Sequence, residues 1–490
     1  MPNPFPVEGA HRRLKRVSSW VESWRTRSVR LVLGGLGILL IARLLIFTWV
    51  FSVNIPFSDQ WYLLAILFDG FQWSDIPAAF LWQNGPHRQG LSFALLVPLY
   101  EVTGWNVRLD SMVIAFTLII AGGLALRLRR QLIPAPWTLW DAALLIAFWA
   151  LNVFETIVVT PNNSHSIFPL VLVMLIANTW IAQPSWRRSA LLIVLTMFAG
   201  FTGFGLSILP VLGLLLLLRL RRAPRQWKKT GAELLGVTAT LWLFLLQYRF
   251  IVAADNFQVL QSNPLDYLRF GIVMFNYFFQ LYYPGVQATY YPIGLAFAVA
   301  VLWICIQTMR ALLPHRAPGV SNGNMPLLEV CLMLCGTTLA YVALTAYGRV
   351  QLGIDGANTP RYMALMLPAF CALHLWLHRE VTDTKRIAAL AVLLLLCVRL
   401  VPETYLAYDR TLYYANVKLC WFDSYRQSGD WQQAGEAVRQ ADGRRLFQPV
   451  WLGSPDQWGY LSAHRLGPFA SNVAVSVLSD FEADPCEHLH

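Results

Sequence analysis

Outside its long apolar runs the chain gathers acids, arginines and aromatic residues in a few places. One stretch, 54–106, carries Pro56-Phe57-Ser58-Asp59-Gln60-Trp61, then Asp69, Trp73 and Asp75, and then Trp82-Gln83-Asn84-Gly85-Pro86-His87-Arg88. A second runs from Tyr347-Gly348-Arg349 through Asp355 to Thr359-Pro360-Arg361-Tyr362. A smaller third holds Glu155 and Pro161-Asn162-Asn163-Ser164-His165. A carboxylate such as Asp59 can take a proton from an attacking hydroxyl. Guanidinium groups such as Arg349 and Arg361 grip phosphate oxygens in a two-pronged fork, and His87 and Arg88 are further candidates for an anion. Each residue also has a plainer use. Asp59 could cap a helix, His87-Arg88 could anchor at an interface, Arg349 and Arg361 could meet lipid headgroups, Glu155 and His165 could cap a turn, and Trp61 could belong to an aromatic belt.

The elements that must position these residues are set by composition. The 490 residues are 56% hydrophobic and 13% charged, with 20 Trp, 18 Tyr and 28 Phe, whereas a soluble globule carries roughly 25% charged residues. High aromatic content excludes disorder, and seven cysteines in this length exclude a disulfide-rich scaffold. An all-α polytopic membrane protein remains. A bilayer core of about 30 Å needs roughly 20 apolar residues per helix, and about eleven runs approach that: 31–53, 107–126, 138–155, 166–183, 189–203, 206–220, 232–252, 289–309, 327–347, 362–378 and 386–402. The pair 189–203 and 206–220 is short, with Gly200, Gly203 and Gly205 at its bend, and reads equally as a dip and return. The segments 91–103 and 265–284 read as juxtamembrane helices.

With the N-terminus inside, the inner segments hold more than half of the 38 Lys and Arg, which is the positive-inside asymmetry. The formal charge of +11 then reflects topology and anionic lipid, and nucleic acid is not expected as a partner. Residues 1–30 form a basic cytoplasmic start leading into a retained span, 31–402 the transmembrane part, and 403–490 an outer domain, mixed α/β on this reading. Cys420 and Cys486 share the oxidising side and could pair, though sequence gives no distance. No cysteine spacing typical of a metal site occurs.

Taken together, these features resemble the GT-C superfamily of integral membrane glycosyltransferases, which take sugars from polyprenyl-phosphate donors. The resemblance lies in three stretches. They are the acid just beyond the first span, Asp59; the passage Gly104-Trp105-Asn106-Val107-Arg108-Leu109 into a span ending Leu126-Arg127-Leu128-Arg129-Arg130; and the hairpin Gly200-Phe201-Thr202-Gly203-Phe204-Gly205-Leu206 leading to Arg219-Leu220-Arg221-Arg222. These are similar to blocks of the aminoarabinose and protein-mannosyl transferases. The resemblance implies a GT-C-like bundle in a bacterial inner membrane with its tail in the periplasm. It also implies transfer of a sugar to a glycan, lipid or protein acceptor, with Asp59 as general base and Arg361, Arg349, Arg88 and His87 on the lipid phosphate. Tyr362 would orient an arginine. Asp69, Asp75, Glu155 and His165 would bind sugar or acceptor, and Trp61 would stack on sugar. Only Ser58-Asp59-Gln60 stands where many relatives carry paired acids, so a divalent cation is left without a carboxylate cluster.

Two rivals remain at this level. A transporter or flippase for lipid-linked saccharides would favour internal repeats and midplane charges, whereas here the ionisable residues collect at the outer surface. A non-catalytic assembly subunit would leave Asp59, Arg349 and Arg361 apart in space.

Overall fold

The structure is a computed structural model that describes residues 7–61, 72–162, 167–250, 260–261, 263–279, 287–313, 325–379, 384–401, 404–443, 448–471, 474–477 and 485–489. Among these the chain is overwhelmingly helical, and the strands are confined to the two-residue pair Gln83–Asn84 and His87–Arg88, antiparallel about Gly85-Pro86. Asp69 and His165 lie outside the described residues.

Among the described residues four helices are long and apolar enough to cross a membrane: Thr26–Phe51, Val107–Leu132, Tyr291–Leu312 and Met325–Leu352. They fall on the expected runs 31–53, 107–126, 289–309 and 327–347. The other seven runs are shorter or broken, from Ala142–Phe148 with 7 residues to Trp227–Leu245 with 19. At about 1.5 Å per residue, the 15-residue helices Trp186–Gly200 and Ile208–Arg222 reach only about 22 Å, less than a hydrocarbon core. They meet at a hairpin that needs glycine: a Cβ on Gly205 would lie 2.2 Å from the Ala199 carbonyl oxygen. The helices expected beside the membrane form at Gly90–Thr103 and Leu265–Tyr277.

One end of the bundle is fastened by ion pairs on four of its arginines. Arg129 donates to both oxygens of Asp141, at 2.8 and 3.2 Å, and His374 Nε2 sits 3.0 Å from the same carboxylate. Arg188 meets Glu233 at 2.8 Å, and Glu329 accepts from Arg219, Arg222 and the Trp180 indole. Breaking such a buried pair by removing one partner typically costs about 3–5 kcal/mol.

At the opposite end the regular helices give way. The 138–155 run stops at Phe148, continues as a 3-10 turn Leu151–Val153 and becomes a π-helical turn, Glu155–Val159, dense in β-branched residues and closed by Thr160-Pro161. The 362–378 run likewise starts as a 3-10 stretch, Pro360–Met366, before the helix Leu367–His378. Irregular turns of this kind aim polar side chains that a continuous helix would bury.

The tail was expected to be mixed α/β; its described residues carry helices and no strand. They form Thr404–Ser428, Trp431–Ala441 and Pro455–His464. It folds onto the segments that follow the first long helix: the amide N–H groups of Asn54, Ser58 and Gly467 donate to the carbonyls of Val475, Trp451 and Gly104. Arg108 adds a clasp, stacked 4.3 Å over Trp49 and donating to the Ala474 carbonyl. Cys420 and Cys486 form a disulfide, their Cα atoms 4.9 Å apart.

Candidate active site at an acid–arginine cluster

The irregular turns and the loop just after the first long helix converge. Arg361 Nε donates to Glu155 Oε1 at 2.8 Å, and its Nη1 donates to Asp59 Oδ2 at 3.2 Å. One guanidinium thus bridges two carboxylates that lie 206 and 302 residues away in sequence. Burial works to discharge Arg361, but the charges of Glu155 and Asp59 outweigh it and hold its pKa above the usual arginine value. All three side chains keep some solvent exposure, 31% for Arg361, 27% for Asp59 and 15% for Glu155, so they face an opening and not the core.

Asp59 is aimed by a strained residue. Ser58 has φ +54°, a left-handed conformation that side chains other than glycine rarely adopt, and its N–H is held by the Trp451 carbonyl at 2.6 Å. Phe57, just before it, packs edge-on against both Tyr414 and Trp451, at 5.8 and 5.7 Å. The tail therefore fixes the loop that presents the acid.

Two cavities flank the cluster. A polar one of about 400 Å³ is lined by Ser58, Glu155, Thr160, Asn358, Thr359 and Arg361 on one side and by Asp409, Arg410, Tyr413, Tyr414 and Trp451 of the tail on the other. Burial, then Glu155, push the Tyr414 phenol above its ordinary pKa while Arg410 and Arg361 pull it back, so these charges share one small space. The second cavity, about 200 Å³, is largely apolar, with Phe204, Phe244, Tyr248, Tyr341 and Leu344 in its walls and with the His87 imidazole and the Arg349 guanidinium also lining it. Tyr362 stands between the two: it follows Arg361 in the chain, faces the Phe204 ring at 6.3 Å and feels the charges of both Arg349 and Arg361. Among the described residues Arg349 makes no ion pair.

Of the residues singled out in the sequence, Glu155 and Arg361 lie in the wall of the polar cavity and His87 and Arg349 in that of the apolar one, with Asp59 paired to Arg361 and Tyr362 next to it in the chain. Arg361 is not the free phosphate clamp its type suggested, since two carboxylates already balance its charge and engage all three of its nitrogens. Arg88 serves the fold instead of an anion. Only 3% exposed, it donates to the carbonyls of Leu81, Phe244 and Leu246, tying the hairpin to the end of the Trp227–Leu245 helix. Burial lowers its pKa, with Tyr248 opposing. Trp61 is not a platform for sugar; it is 3% exposed and packs on Trp458 at 5.4 Å. It presses so closely on Gly453, at φ +73°, that a Cβ there would lie 2.7 Å from the indole. Asp75 caps a local turn by accepting from the Gln72 N–H at 3.0 Å.

The tail wall was missed. Asp409, Arg410, Tyr413, Tyr414 and Lys418 recur at helical spacing immediately after the last apolar run, a polar stripe that could have marked a helix facing a site. Lys418 is wholly buried, donates to the Val159 carbonyl at 2.7 Å and lies 5.0 Å over the Phe57 ring, which braces the π-helical turn carrying Glu155. Burial brings its pKa down to about 7.

The donor set does not resemble a cation cage. The two site carboxylates are bridged by a guanidinium where a divalent ion would need oxygen ligands on all sides. Among the described residues the one His/Asp group close enough to share an ion is Asp141, His374 and His378 at the other end of the bundle, and Arg129 lies across both Asp141 oxygens there.

Comparison with family models, with curated proteins and with solved structures finds no match to this chain.

Proposed function

We propose that the chain is a membrane glycosyltransferase of GT-C type, moving a sugar from a polyprenyl-phosphate donor to a periplasmic glycan, lipid or protein acceptor. The observation that carries this reading is the bridge from Asp59 through Arg361 to Glu155, with Arg361 and Glu155 in the wall of a polar cavity and Arg349 in the wall of an apolar one. An assembly subunit has no need for acids and arginines from distant segments to meet. The donor's isoprenyl end would lie along the apolar walls near Phe204 and Leu344, its phosphate at Arg349 and His87, and its sugar past Tyr362 in the polar cavity. An acceptor hydroxyl attacks the anomeric carbon, the bond from that carbon to the phosphate oxygen breaks, and the phosphate leaves with the electron pair. Asp59 takes the hydroxyl proton, and Arg349 stabilises the charge on the departing phosphate. Arg361 holds both carboxylates in place and does not itself bind the anion.

This reading sets the N-terminus in the cytoplasm and the tail in the periplasm of a bacterial inner membrane. It is supported by the arginine-rich segments at one end of the bundle and by a disulfide in the tail at the other. The test supplies a lipid-linked sugar to the purified protein in lipid vesicles and measures release of polyprenyl phosphate. Release should depend on Asp59 and Arg349; an Asp59→Asn variant that works at wild-type rate removes Asp59 as the base. Loss of one sugar from surface glycans after gene deletion would identify the donor.

A further inference from the structure

The polar cavity contains two guanidiniums in different electrical states. Arg361 is bridged to two carboxylates. Arg410, on the opposite wall, makes no ion pair or hydrogen bond among the described residues, and its charge is felt by the Tyr414 phenol beside it. Asp409 on the same wall already has an interaction of its own. Among the described residues Arg410 is therefore the cation of this cavity whose donors have no protein partner and face a ligand.

Its surroundings narrow what that ligand is. Trp451 and Tyr414 present aromatic surface in the same wall, their ring centres 6.1 Å apart, which suits the apolar face of a sugar ring. Asn358, Thr359 and Thr160 offer polar groups for hydroxyls. The volume of about 400 Å³ is within the range of small-molecule sites. The wall is rigid, because Phe57 packs against both Tyr414 and Trp451 and Lys418 pins the same helix to the Val159 carbonyl.

We propose that Arg410 is an anion-recognising residue of this cavity and that the sugar bound there carries a carboxylate or a phosphate group. The proposal rests on reading the cavity as the sugar site of the transferase, and it adds that the saccharide is acidic.

The test uses the full chain in lipid nanodiscs and ligand-observed NMR titration with glucose, glucuronate and glucose 6-phosphate, together with undecaprenyl phosphate as the lipid probe. A charge-assisted hydrogen bond is worth about 1.5–3 kcal/mol, so at least one of the two anionic sugars should bind about tenfold or more tightly than glucose. The preferred one tells carboxylate from phosphate. Arg410→Gln should abolish the preference while leaving glucose binding unchanged, which also reports that the variant is folded; Arg410→Lys should keep part of it. Equal binding of glucose and both anions, or a preference that survives in Arg410→Gln, overturns the proposal. The underlying reading has its own readout: if undecaprenyl phosphate fails to bind while the Arg410-dependent preference persists, the lipid-donor reading falls and the anion site stands.

Discussion

The carboxylate of Asp59 and the guanidinium of Arg361 meet at 3.2 Å although 302 residues separate them. Because Glu155 shares the same guanidinium, one arginine sets the spacing of two acids at the edge of a cavity. A lysine could not replace it, since its ammonium lacks the planar fork that reaches both carboxylates in fixed directions.

Transfer from a lipid-linked sugar should fall by about 10²–10⁴ in Asp59→Asn, the range for loss of a general base. Glu155→Gln and Arg361→Lys should also lower the rate, by disturbing the placement of Asp59. Thermal melting of Asp59→Asn should move little, because a partly exposed ion pair contributes about 1 kcal/mol or less. Paired rate and melting measurements check this.

Lys418 makes stability depend on pH in a definite direction. Its pKa is about 7 in the folded chain, and a free lysine titrates near 10.4. Between these values the unfolded chain binds the extra proton, so this residue's contribution to stability rises as pH rises from about 7 to 10 and is lost as pH falls through 7. The melting temperature of the wild type relative to Lys418→Met should therefore increase from pH 7 to pH 9.5. A difference that stays constant across that interval would show that the lysine does not titrate there.

The Cys420–Cys486 bond closes a loop with a sequence separation of 66. Constraints of this kind stabilise by about 2–4 kcal/mol, so Cys486→Ser should melt earlier and expose the tail to proteolysis first. Thiol labelling with and without reductant, followed by intact mass, should find the pair oxidised in protein taken from the membrane. Free thiols at both positions would count against a tail on the oxidising side.

Gly453→Ala should destabilise the junction of tail and first loop by about 1–3 kcal/mol. The added methyl meets the Trp61 indole at 2.7 Å, and a backbone at φ +73° disfavours any side chain. The clash falls two residues from Trp451, whose carbonyl holds the loop that presents Asp59, so transfer should also fall. Differential scanning fluorimetry and the release assay measure the two effects separately.

The class of molecule was legible in the chain alone, because long apolar runs and the arginines flanking them are local properties. Asp59, Glu155, Arg349 and Arg361 were legible too, since charged residues outside apolar runs are few enough to notice. Sequence could not tell a free guanidinium from a neutralised one: whether Arg361 or Arg410 is open to an anion depends on partners hundreds of residues away, and such pairing leaves no local trace. For the same reason Arg88 and Trp61 were read as contacts for substrate, when folding turns the first onto backbone carbonyls and buries the second against Trp458. That the tail helix forms one wall of the polar cavity emerges from folding and from nothing local, because the wall exists where two surfaces far apart in the chain are packed face to face.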